Sequence, residues 1–215
     1  YAELLSDIEG LRIATENRAR SMRHVHGIET PDYRAQTDAL AAIEHQATLS
    51  LQRALRKHPL GPFVKRTVGV GEKQGARLIA AIGDPYWNSL EDRPRRGPAE
   101  LWAYCGYVPG QKRTKGQKSN WSAQAKMRAF LIAESCIKQS ASPYRAVYDR
   151  ARVNKAEMIH DAPCQICAGA GKPAASAIGQ PWRDGHKHTH ALRLVAKEVL
   201  KDLFLEARSV ASATS

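Results

Sequence analysis

The chain has 215 residues and carries 33 Lys and Arg against 21 Asp and Glu, a net charge of +12. That imbalance calls for an anionic partner, and the length allows one sizeable core plus an appendage. No apolar run approaches the roughly 20 residues of a transmembrane helix, so no membrane span is expected, and no signal peptide is visible. Two of the 4 cysteines, Cys105 and Cys136, are isolated, which argues against a secreted disulfide framework.

The chain opens on Tyr1 rather than Met, with no capping residue ahead of Ala2-Glu3-Leu4. The expectation is a start inside a helix, with upstream sequence missing. Leu4, Ile8, Leu11, Thr15, Arg18, Met22 and Val25 then step by four and three, a heptad pattern with polar lapses. Gly27–Asp32 reads as a turn. A second helical run follows, with Leu40, Ile43, Ala47, Leu51 and Ala54 on one face. Residues 1–58 are thus expected to form an antiparallel helical hairpin, a coiled-coil arm suited to spacing or to homo-oligomer contact.

Pro59 and Pro62 break the second helix, and 59–215 is expected to be a mainly α domain. Val68-Gly69-Val70-Gly71 opens a helix with Leu78, Ile79 and Ile82 on one face, the pattern of a helix-hairpin-helix. Glycines let the turn bend tightly and approach another chain closely, and the helix start offers N–H groups to a phosphate oxygen. Lys73 and Arg77, one turn apart, are expected to flank that phosphate. Such a grip on the sugar-phosphate backbone positions a protein without specifying a sequence. A nucleic acid is therefore the expected partner, inside the cell.

Short helices are expected over 73–82, 97–104, 122–139, 143–154 and 186–208, with almost no strand signal. Two loops are basic. Glu91–Pro98 carries Arg93, Arg95 and Arg96. Pro109–Trp121 carries Lys112, Arg113, Lys115 and Lys118 between Tyr107 and Trp121, and Lys126 and Arg128 follow on the next helix. The second loop reads as a phosphate-tracking segment with aromatic stacking at hand.

Near the end, His160 and the pair Cys164 and Cys167 open a Gly/Ala/Pro-rich insertion, residues 160–190, closed by His186, His188 and His190. A C-x-x-C knuckle with nearby histidines fits a tetrahedral structural zinc site of two thiolates and two imidazoles. Cys164 and Cys167 are the fixed ligands. His186 and His188 are the chosen partners, with His190 and His160 as competitors. A metal would order a segment with no apolar core of its own.

GVGEKQGARLIAAIGDP, LWAYCGYVPGQ, the basic loop with Gly116, and WSAQAKMRAFLIAESCIKQSASPYRAVYDR together resemble the C-terminal domain of the IS-one-ten family of insertion-sequence transposases. That family includes bridge-RNA-guided recombinases and pilin-gene invertases. The closing HTHALRLVAKEVLKDLF is similar to its final helix, and the resemblance spans roughly Pro59 to Arg208. It implies a coiled-coil arm, DNA as the partner in transposition or recombination, and a cytoplasmic, nucleoid-associated location; some members of the family work with a guide RNA, and the residues here leave that partner open. It also implies an upstream nuclease-like domain with acidic metal ligands, and a nucleophilic serine before a glycine in the loop after the G-hydrophobic-x-P segment. Here Lys115 precedes Gly116, and a lysine cannot replace the serine hydroxyl. Thr114 and Ser119 are rival nucleophiles, while Ser122 matches a structural serine. No catalytic residue is assigned.

Three readings follow. The chain is a DNA-binding module, the C-terminal half of an active transposase or site-specific recombinase, or an element-derived protein-interaction module. The missing Ser-Gly favours the first.

Overall fold

Glycine and proline punctuate the first two helices as capping chemistry requires. In the computed structural model, which describes residues 1–111, 114, 116–168 and 176–214, α1 (Ala2–His26) ends on Gly27 at φ 66. The N–H groups of Gly27 and Ile28 close on the carbonyls of Arg23 and Met22, a left-handed glycine stop. Pro31 then starts α2 (Pro31–Lys57), where its missing N–H costs nothing. The two helices pack on one another, and Arg12 bridges them to Glu44 at 2.6 Å.

The contact face of α1 differs from the expected one. Leu5 and Thr15 are buried, whereas Leu4 is 52% and Val25 70% exposed, with Leu11 exposed as well. The seven-residue step holds, but the apolar residues at Leu4, Leu11 and Val25 lie off the seam. On α2 the buried set is Ala47, Leu51 and Leu55, and Ile43 stays exposed.

The backbone divides into two compact units, Tyr1–Gly61 and Pro62–Ser215, against the 58/59 boundary read from Pro59. The second unit is mainly helical. It contains α4 (Glu72–Ile82), α5 (Pro98–Tyr104), α6 (Ala123–Ile137), α7 (Arg145–Asn154), α8 (Gln165–Ala168) and α9 (Asp184–Thr214), preceded by α3 (Gly61–Arg66). Leu192, Val195, Ala196, Val199, Leu200 and Leu203 recur at three- and four-residue steps along α9 and are all buried. α5, α6 and α7 pack around that stripe, and α4 packs on α6. Each fully buried Leu or Val contributes about 1.5–3 kcal/mol, so α9 is the axis on which the other helices depend.

The first basic loop is structural. Trp87–Asn88 (β1) pairs antiparallel with Arg93–Pro94 (β2), a hairpin too short for an alternating pattern to announce. Arg95 is buried, and its Nη1 donates to the carbonyls of Asp84 (2.6 Å) and Trp87 (2.5 Å). Arg93 is taken up by Glu91 and Glu100. Two of the loop's three arginines therefore hold the hairpin.

Candidate functional site

The Cys/His insertion is drawn together by main-chain hydrogen bonds before any side chain is considered. Ile159 forms an antiparallel bridge with Pro181; the His160 N–H donates to Gln180 O at 2.9 Å and the Trp182 N–H to Met158 O at 2.8 Å. Cys164 N–H donates to Ser176 O at 3.0 Å, which sets the start of α8. α8 then carries Cys167, and the first turn of α9 carries His186.

These elements bring His160, Cys164, Cys167 and His186 together, with one ligand atom of each lying within 4.8 Å of all the others. His186 Nδ1 stands 3.5 Å from Cys164 Sγ and 3.5 Å from Cys167 Sγ. A tetrahedral ion with Zn–S and Zn–N bonds of ordinary length separates S from N by roughly 3.6 Å. Cys167 is 1% and His160 3% exposed, and His160 Nε2 is buried without a hydrogen-bond partner among the described residues. A buried imidazole nitrogen left unmatched is costly unless something else binds it. Burial, followed by the neighbouring His160 and His190, holds the His186 pKa below the usual histidine range. That shift favours the neutral ring, the form a metal needs.

His188 does not join this group, contrary to the expectation from spacing. Its Nδ1 lies 2.8 Å from the Tyr148 hydroxyl. Residues two apart on a helix point to different sides, so His186 and His188 cannot share an ion on α9. His160, a competitor in the sequence, takes the fourth position. His190 instead meets Trp182 edge-on, with ring centroids 5.6 Å apart.

The glycine turn ahead of α4 separates into two roles. Gly69 has φ 96, and a Cβ there would stand 2.7 Å from Cys136 Cα, so this glycine admits α6. Gly71 has φ 67 and nothing within 4 Å of a Cβ position. It is exposed, forms the N-cap of α4, and supplies no side-chain cap. Lys73 is half-buried on the first turn. Arg77 is 2% exposed, because Gly75–Ile79 form the core face of α4, so its guanidinium cannot flank a surface phosphate. Arg128 on α6 is buried likewise.

In the second basic loop Lys118 is exposed, while Lys112, Arg113 and Lys115 lie outside the described residues. Ser122 caps α6 by accepting from the Ala125 N–H at 3.2 Å, and the Ser119 hydroxyl donates to Trp121 O at 3.3 Å. Thr114 is exposed. Among the described residues, no helix is long and apolar enough to cross a membrane. No protein-family model, curated protein or solved structure matches the chain.

Proposed function

We propose that the chain is a DNA-binding module, akin to the C-terminal domain of the IS-one-ten transposases, that grips the sugar-phosphate backbone without reading bases. The observation that carries this reading is Gly71, whose left-handed backbone and open Cβ side leave the first turn of α4 approachable. A phosphate oxygen brought there meets N–H groups that a helix does not use internally. In this reading α3, the glycine turn and α4 act as a helix-hairpin-helix, with Lys73 beside the same phosphate. Lys118 and its neighbours Lys112, Arg113 and Lys115 add backbone contacts from the second basic loop. The net charge of +12 supports it. Arg77 has no part, since its burial removes it from any surface contact.

The metal group belongs to the same proposal. Two thiols and two imidazoles suit zinc better than harder ions, and four protein ligands leave no open position for a substrate. Zinc here is structural: it ties the start of the insertion (His160, Cys164, Cys167) to the first turn of α9 (His186).

Titrating a fluorescent mixed-sequence duplex with the chain, from about 50 to 200 mM salt, tests the DNA reading. Affinity should fall linearly with salt on logarithmic axes. Failure to bind the duplex at the lowest salt would reject it.

A further inference from the structure

The Pro62–Ser215 unit also contains a groove of about 480 Å³ that the reading above does not use. Trp121, Met127 and Phe130 supply apolar wall, Lys126 and Arg193 bring two positive charges, and among the described residues no carboxylate lines it. Both cations are held in place. Arg193 Nη2 donates to the carbonyls of Tyr107 (3.1 Å) and Val108 (2.8 Å). The Lys126 ammonium stands 5.0 Å from the Trp121 ring centroid and 6.0 Å from that of Tyr107. Burial, and then the charge of Arg193, hold the Lys126 pKa below the usual lysine range. Two like charges in a partly desolvated site repel, and an anion received between them relieves that repulsion.

The wall is fixed as firmly as the charges. Gly106 has φ 71, and a Cβ there would lie 2.7 Å from Trp121 Cδ1, so the indole rests directly on backbone. Gln111 and Trp121 both line the groove. A site for phosphate alone has no use for Met127 and Phe130, and an apolar docking site has no use for two cations.

We propose that this groove holds one unpaired nucleotide of a DNA strand, its base against Trp121, Met127 and Phe130 and its phosphate at Lys126 and Arg193. The inference rests on the DNA-binding reading and sharpens it. A duplex keeps its bases stacked and shows only phosphates to such a surface, whereas a nucleotide out of the stack shows a flat apolar face and a charge together. The partner is then DNA with a single-stranded stretch, a bubble or a junction.

The test uses the full chain and three labelled probes: oligo-dT, oligo-U and a mixed-sequence duplex. Two variants are compared with the parent. Lys126→Gln removes one charge, and Met127→Glu puts a carboxylate at an exposed position of the wall; melting curves check that both fold. Both should weaken oligo-dT binding by about tenfold or more while duplex affinity stays within about twofold, as expected for loss of one stacked, charge-paired nucleotide. Parallel weakening of oligo-dT and duplex would overturn the groove assignment and leave the DNA reading standing. Tighter binding of oligo-U than oligo-dT, lost in both variants, would make the occupant RNA and overturn the assignment to a DNA strand. A parent chain that binds neither DNA form would reject the DNA reading itself, and this inference with it.

Discussion

The Trp182 indole lies flat against the His186 imidazole, with ring centroids 3.8 Å apart and planes 8° from parallel. The indole sets the ring plane from its face while Cys164 and Cys167 approach Nδ1 at its edge. Trp182 is itself anchored through its main-chain N–H, which donates to the Met158 carbonyl beside the bridge that leads into His160. A ligand ring oriented by its neighbours needs little rearrangement to bind an ion.

Metal content follows from this geometry. Elemental analysis of protein purified without added metal should find about one zinc per chain, as four-ligand structural sites hold. His160→Ala and Cys167→Ser should each lose most of it and lower the melting temperature. His188→Ala should retain it, because His188 faces Tyr148. Loss of metal in His188→Ala with retention in His160→Ala would reverse the ligand assignment.

Cysteine reactivity gives a second reading of the same site. Burial pushes the Cys105 thiol up to about 12 and the Cys136 thiol up to about 11, so neither forms thiolate near neutral pH. Alkylation of the native protein at pH 8 should spare all four cysteines while metal is bound. After chelation it should reach Cys164 and Cys167 and still spare Cys105 and Cys136. Native labelling of Cys164 and Cys167 with metal present would contradict the cluster.

How much of this was readable from the residues varies by element. The pair Cys164 and Cys167 and the following His186 stand out by spacing. His160 was legible only as a competitor, because its approach depends on the Ile159–Pro181 bridge, a pairing across residues that no periodicity marks. His188 stands two residues after His186, about 200° around a helix, so helical geometry itself argues against that pair. Arg77 misleads in the opposite way. Its four-residue step from Lys73 implies a shared face, but Leu78, Ile79 and the close-packed Gly75 pull that side of α4 into the core. Arg95 is similar: a buried arginine donating to two carbonyls looks, in sequence, like any loop cation.

The two turn glycines should behave differently. Any L residue at either position costs about 1–2 kcal/mol of left-handed strain. Gly69→Ala also drives Cβ into the Cys136 backbone, adding about 1–3 kcal/mol of overpacking. Denaturant melts should therefore show Gly69→Ala as the more damaging change, with Gly71→Ala closer to the parent. Equal losses would mean that α6 does not pack on this turn as described.

Ser122 is expected to act as a cap and not as a nucleophile. Ser122→Ala should lower stability by about 1 kcal/mol, the usual worth of an N-cap hydroxyl. The chain alone, with supercoiled DNA and magnesium, should leave no nick and no covalent phosphopeptide on Thr114, Ser119 or Ser122. Metal-assisted phosphoryl transfer needs several carboxylates converging on one point, and the acidic residues Glu72, Asp84, Glu91, Asp92, Glu100, Glu134 and Asp149 show no such grouping by sequence. A DNA adduct on any of the three would favour an active recombinase.

The most direct measurement of the central claim is the salt dependence of duplex binding for the parent, Lys73→Ala and Lys118→Ala. Each variant should bind all duplex sequences more weakly and to a similar degree, and each should flatten the logarithmic salt slope by about one unit, the signature of one lost phosphate contact. Arg77→Lys, at a buried position, should leave the slope unchanged. If Lys73→Ala and Lys118→Ala bind as the parent does at every salt concentration, neither α4 nor the second basic loop grips DNA.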